Sequence, residues 1–161
     1  MAMNQAYETS TFANFELATQ AYDHEIVASV LTNNGEVALF KRSQMVTGDC
    51  GLWHCITGFL DRHNCPSTHV RVEIEEEANI APANLKLINS CRFYLNDSRN
   101  KTWCIHAFHF ETTTKEIAVN WENDAARWCS PGDITRLNTV SWLSSVMSAL
   151  KVEKHMGVAV A

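Results

Sequence analysis

Three glutamates, Glu73, Glu76 and Glu77, stand at i, i+3 and i+4 within the stretch VRVEIEEEANI. On a helix with 3.6 residues per turn this spacing gathers their carboxylates within roughly 100° of arc. Like charges held so close repel unless protons or a cation neutralise them, and hard oxygen donors of this kind suit Mg²⁺ or Mn²⁺. Glu75 points the other way, while Val70, Ile74 and Ala78 repeat every fourth residue and make an apolar stripe fit to lie on a sheet. On spacing alone a solvated acidic helix face is the commoner alternative.

Other elements must hold that helix in place. Residues 25–32 (EIVASVLT) and 36–40 (EVALF) read as strands joined by Asn33-Asn34-Gly35, residues that tolerate the positive φ of a tight turn. Residues 52–56 form a short apolar strand ending at Thr57-Gly58, where a turn or a close approach is expected. The helix itself is predicted over 67–78, with Pro66 in its first turn, Asn79 closing it in a left-handed conformation, and Pro82 forbidding continuation. Two strands follow over 85–95 and 101–111, the second apolar on both faces and therefore central. Ser130-Pro131-Gly132-Asp133 opens a helical pattern, and a last helix is predicted over 140–155. A mixed sheet covered by helices on both faces, an α/β class, satisfies these elements together.

The bulk properties narrow the partners. A chain of 161 residues, 46% hydrophobic, supports one core, so a single domain over 21–161 with a peripheral arm over 1–20 is expected. A net charge of -5 argues against polymeric nucleic acid, yet a small phosphorylated molecule is admissible where divalent cations invert the local field. No apolar run approaches the roughly 18 residues that span a bilayer, and no export signal opens the chain, so a cytoplasmic protein without a membrane partner is expected. The six cysteines are then expected to be free and mostly buried. Lys41 and Arg42 end a strand, where they either meet substrate phosphates or keep a sheet edge soluble. His54, Cys55, His63 and Cys65 lack the paired spacing of a zinc site, and His106 and His109 fall on opposite strand faces. Trp53, Trp103, Trp121 and Trp128 are each read as core before base-stacking.

Taken without a gap, residues 58–80 resemble the Nudix box, G-x5-E-x7-R-E-U-x-E-E-x-G-U, where U is a bulky apolar residue. Gly58, Glu73, Ile74, Glu76, Glu77 and Ile80 match it, and Asn64, Val72 and Asn79 depart. Trp53 to Gly58 looks like the strand that leads into the box, and Trp121 to Ile134 is similar to the family's closing segment, so the resemblance runs from Glu25 to about Lys151. It implies an α/β/α sandwich with a mixed sheet and water attack on a diphosphate. It also implies that the Gly58 carbonyl and Glu73, Glu76 and Glu77 hold Mg²⁺ or Mn²⁺, with Glu77, Glu76 or, from a later loop, Glu122 as base; Asp124 is a weaker candidate. The implied substrate is nucleoside diphosphate-linked, a nucleoside triphosphate or similar, and homodimers are common in such proteins. Asn64 and Val72 replace a glutamate–arginine pair that commonly supports the metal-binding carboxylates, so the alternative is a Nudix-like nucleotide-binding or regulatory domain with weak or no catalysis. Arg71 is rotated about 100° around the helix and cannot inherit the arginine's place. Cys55 near the box admits isomerase chemistry, as in Nudix-like isopentenyl diphosphate isomerases.

Overall fold

Asn34 and Gly35 adopt φ of 46° and 80°, the two positive values that a two-residue hairpin turn needs. They join β1 (His24–Asn33) to β2 (Glu36–Arg42) in the computed structural model, which describes residues 20–61 and 63–157. The arm expected over 1–20 therefore falls almost wholly outside the described residues. After β2 come β3 (Trp53–His54), β4 (Ile56–Phe59), helix α1 (Pro66–Ala78), a single 3-10 turn at Pro82–Asn84, β5 (Leu85–Asn96) and β6 (Thr102–Thr112). The chain closes with β7 (Asn123–Cys129) and three short helices, α2 (Pro131–Ile134), α3 (Leu143–Ala149) and α4 (Val152–His155).

The sheet is mixed, ordered β3-β2-β1-β6-β5, with β4 also pairing β1 and β7 also pairing β2. β6 lies between β1, which it meets in parallel from His24–Trp103 to Thr32–Glu111, and antiparallel β5, as its two apolar faces predict. β1 and β2 share only the pairs next to their turn; further back β1 takes β4 as partner, while β2 takes β3 and β7. That divergence corrects the single strand expected over 52–56. The segment pairs first with β2, breaks at the buried Cys55, then crosses to β1, because no one partner runs along its whole length.

Each sheet face carries its own core. Val27, Leu31, Phe40, Phe108 and Phe110 pack under α1 through Val70, Ile74 and Ala78, and Ile26, Ala28, Val30, Leu39 and Ile105 pack under α3 and α4 through Leu143, Val146 and Val152. Helices on both faces make the α/β/α sandwich. Cys65 caps α1 without a side-chain hydrogen bond, a shortfall of about 1 kcal/mol. Val70 and Ile74, wholly buried, each contribute about 1.5–3 kcal/mol and decide the helix's position. At its far end Asn79 closes the helix at φ 56°, as expected.

The last helix, expected to be continuous over 140–155, is broken. Lys151 takes the left-handed conformation at φ 52°, between α3 and α4. Leu150 and Val152 are both wholly buried, and two residues apart on one helix they would point about 200° away from each other. The break lets both reach the same core. Among the described residues, no helix is long and apolar enough to cross a membrane.

Candidate active site

Gly58 stands in mid-strand, opposite Val27 in β4, and not in a turn as its sequence context suggested. Of the two expectations for it, the close approach holds: a Cβ there would overlap the Glu73 carboxylate. The glycine admits the first glutamate of α1 to the sheet edge. Glu73 Oε1 lies 3.0 Å from His69 Nε2, one turn earlier on the same helix. That imidazole nitrogen has no aligned hydrogen bond, and the pair attracts as ions only when the ring is protonated. Burial raises the Glu73 pKa, His69 offsets part of the rise, and the charges of Glu76 and Glu122 add to it.

Glu77 is the buried member, 1% exposed. Its Oε1 accepts from Asn123 Nδ2 at 3.3 Å, and its Oε2 has no partner. Burial, followed by the neighbouring charges of Glu122 and Glu73, pushes its pKa up to about 9. Without a cation Glu77 therefore keeps its proton at neutral pH. Glu76 is exposed and acts on Glu73 by its charge. Glu122, half-buried on the loop before β7, joins the cluster; Asp124 is exposed and does not line the adjoining cleft. Among the described residues, Glu73, Glu76 and Glu77 do not bring one oxygen each within 4.8 Å. A buried carboxyl oxygen without a partner, among further carboxylates, fits a divalent cation such as Mg²⁺ or Mn²⁺.

Two residues outside the sequence-derived set hold Glu77 in place. His54 on β3 meets Asn123 Oδ1 through Nε2 at 2.9 Å, and Asn123 turns its amide nitrogen to Glu77. Burial lowers the His54 pKa to about 4, outweighing the Asn123 hydrogen bond, so the ring is neutral and donates from Nε2. The polar character of Asn123, beside Trp121-Glu122, is the only sequence signal, and nothing local links it to His54. Cys55, next in the chain, is wholly buried, and burial pushes its thiol up to about 12, which keeps it from acting as an acid or nucleophile near neutrality. His63 and Cys65 are exposed on the loop before α1, away from the buried His54–Cys55 pair.

A cleft of about 680 Å³ runs from Gly58, Glu73 and Glu122 across the opposite sheet face over Ile26 and Ile105. Phe59 and Trp103, ring centroids 6.0 Å apart, flank it, and Trp103 also packs on His24 at 4.3 Å. Trp103 is thus both core and wall, whereas Trp121, read as core, is 60% exposed because it precedes β7 on a turn. Arg42 lines the cleft, its guanidinium donating to the Thr47 and Gly48 carbonyls at 3.2 and 3.1 Å. Lys41 does not line it, a β-bulge shifting the register between the two residues. Neither residue protects a sheet edge, since β2 is paired on both sides by β3, β7 and β1. Val72 is 45% exposed and Asn64 is also exposed. Arg71 turns away from the glutamates, its guanidinium 5.1 Å over the Phe110 ring.

The NUDIX domain family matches residues 23–150. The chain belongs to the Nudix family. Its solved neighbours share this fold at low identity. The NUDIX domain of Shewanella oneidensis NrtR, complexed with ADP ribose, aligns at TM-score 0.68 and 16% identity over 91% of this chain and 98% of its own. A C. elegans Ap4A hydrolase aligns at 0.66 and 14% over 81% and 96%. A bifunctional NMN adenylyltransferase/ADP ribose pyrophosphatase from Francisella tularensis aligns at 0.71 and 18%, over 94% of this chain and 47% of its own. No match is found among curated proteins.

Proposed function

We propose that this Nudix chain hydrolyses a nucleoside diphosphate-linked substrate, a nucleoside triphosphate or similar, by water attack on the pyrophosphate. The reading rests on one observation above the others: Glu77 is buried beside Glu73 and Glu122 with one carboxyl oxygen unpaired. Glu73, Glu76 and Glu77, with the Gly58 carbonyl, would hold Mg²⁺ or Mn²⁺. When bound, such an ion neutralises charge on the diphosphate and acidifies a water.

The remaining roles belong to the chain's own side chains. Asn123, backed by neutral His54, orients Glu77. Glu122, at the cleft wall, would take the proton from the attacking water, a role otherwise left to Glu77 or Glu76. Arg42 offers positive charge to phosphate oxygens, and Phe59 and Trp103 offer π-faces to a base. ADP ribose in the Shewanella neighbour and Ap4A for the worm enzyme are both phosphoanhydride-linked nucleosides, the chemistry proposed for this cleft. The test is a nucleotide panel with Mg²⁺ or Mn²⁺, run on wild type and Glu77→Gln with and without EDTA. Wild type alone should release product, only with metal; binding of a nucleotide without hydrolysis across the panel overturns the proposal.

Exposed Val72 and Asn64 favour a second reading, a nucleotide-binding or regulatory domain with weak chemistry, since a lost supporting partner of a metal ligand costs about 10–100-fold. Val72→Arg with Asn64→Glu should raise turnover at least about tenfold in a detuned enzyme. Unchanged activity would point to the binding domain.

A further inference from the structure

Away from the cleft, Glu25 on β1 and Cys104 and His106 on β6 converge. One ligand atom from each lies within 4.8 Å of the others, the one such group among the described residues. Glu25 Oε2 is 3.0 Å from His106 Nε2, and Cys104 Sγ is 3.8 Å from the same nitrogen. Glu25 stands directly opposite Cys104 in the parallel register, and His106 follows two residues on, so all three share one sheet face. By alternation that is the face of Val27 and Phe108, under the box helix, while the cleft lies over Ile26 and Ile105 on the other.

We propose that Cys104 Sγ, His106 Nε2 and Glu25 Oε2 form a second metal site, selective for Zn²⁺ and chemically separate from the all-oxygen glutamate cluster. Ligand atoms around a tetrahedral zinc, with bonds of about 2.0 Å to nitrogen or oxygen and 2.3 Å to sulfur, stand about 3.3–3.6 Å apart. The 3.0 Å and 3.8 Å separations to His106 Nε2 each lie within about 0.3 Å of these values, and Cys104 Sγ and Glu25 Oε2 stand within 4.8 Å of each other. Thiolate and imidazole donors favour zinc and discriminate against Mg²⁺. Binding releases the thiol proton to solvent and leaves oxidation states unchanged. The scaffold is rigid, because neighbouring strands in the middle of the sheet carry all three residues. Tyr22 donates to Glu25 Oε2 at 3.2 Å, the kind of outer partner that orients a carboxylate ligand. With three protein ligands, the fourth position is open to a water. The ion would pin the start of β1 to β6.

Full-length protein dialysed against EDTA and then titrated with Co²⁺ tests this site directly. One equivalent should produce a near-ultraviolet sulfur-to-cobalt charge-transfer band, and one equivalent of Zn²⁺ should abolish it and raise the Tm. Cys104→Ser should remove the band, His106→Gln should weaken Zn²⁺ binding by more than the about 10–100-fold that loss of an outer partner costs, and Glu77→Gln should leave both intact. Absence of the band in wild type, its survival in Cys104→Ser or its loss in Glu77→Gln overturns the proposal. The wild-type spectrum decides even if a variant fails to fold.

Discussion

Replacing Glu77 by glutamine should stabilise the metal-free protein while abolishing metal-dependent hydrolysis. The Glu77 pKa stands at about 9 against an ordinary 4.5. It is raised, so between those values the folded protein keeps a proton that the unfolded chain releases, and stability falls as pH rises through the window. At about pH 7.5 that proton costs up to ~4 kcal/mol, three units at 1.36 each. At about pH 5 the unfolded chain retains part of it, and the cost is ~1 kcal/mol. Glutamine is neutral throughout and retains the oxygen that accepts from Asn123. Its new amide carries a penalty independent of pH, which leaves a pH-dependent difference of up to ~3 kcal/mol, or about 9 °C in Tm for a domain of this size. Calorimetry in EDTA at the two pH values measures it. The variant should gain more at the higher pH, and saturating Mg²⁺ should raise the Tm of wild type only. An equal change at both pH values, or a larger loss at the higher one, refutes the assignment of a buried, protonated Glu77.

Because a cation must displace the Glu77 proton, apparent Mg²⁺ or Mn²⁺ affinity should rise about tenfold per pH unit below pH ~9. Titration calorimetry in buffers of different ionisation enthalpy should find about one proton released per ion near neutrality. Asn123→Ala removes the donor to Glu77 and the partner of His54. It should reduce metal affinity about 10–100-fold and stability by about 1–3 kcal/mol, read by titration and thermal melting. Gly58→Ala drives a methyl group into the Glu73 carboxylate. Displacing it by about 1 Å should lower kcat on the order of 100-fold with an unchanged circular dichroism spectrum.

The parts of this molecule legible in its sequence are those fixed by neighbours in the chain. Asn34-Gly35 set the hairpin turn, Pro66 and Asn79 bound the box helix, and the double apolar face of β6 placed it inside the sheet. The departures all depend on distant partners. Residues 52–59 split into two strands because β1 and β2 diverge, and the last helix breaks because Leu150 and Val152 must both reach one core. Glutamate spacing announced a charged helix face, but not that Glu77 would be the buried member with a free oxygen. His54 and Asn123 lie 69 residues apart, and Glu25 and His106 81, separations no local pattern can encode. Glu122 was reachable only through the resemblance to the box family, since loop residues carry no period.

The missing box arginine bears on how the buried carboxylates are compensated. An arginine among the glutamates would carry a permanent charge and favour their ionised forms. Val72 supplies none, and Arg71 is committed to the Phe110 ring. What remains is local and weaker: His69 beside Glu73, charged only when protonated, and the uncharged Asn123 amide beside Glu77. Neither offsets the burial and mutual repulsion that drive the Glu77 pKa to about 9. The fold tolerates the change because the arginine and its partner are both gone, leaving no stranded buried charge. The carboxylate cluster does not escape it. A site neutralised by protons binds its cation in competition with them, so the loss of one permanent charge should appear first as a steep pH dependence of metal binding, and only through that as slower hydrolysis.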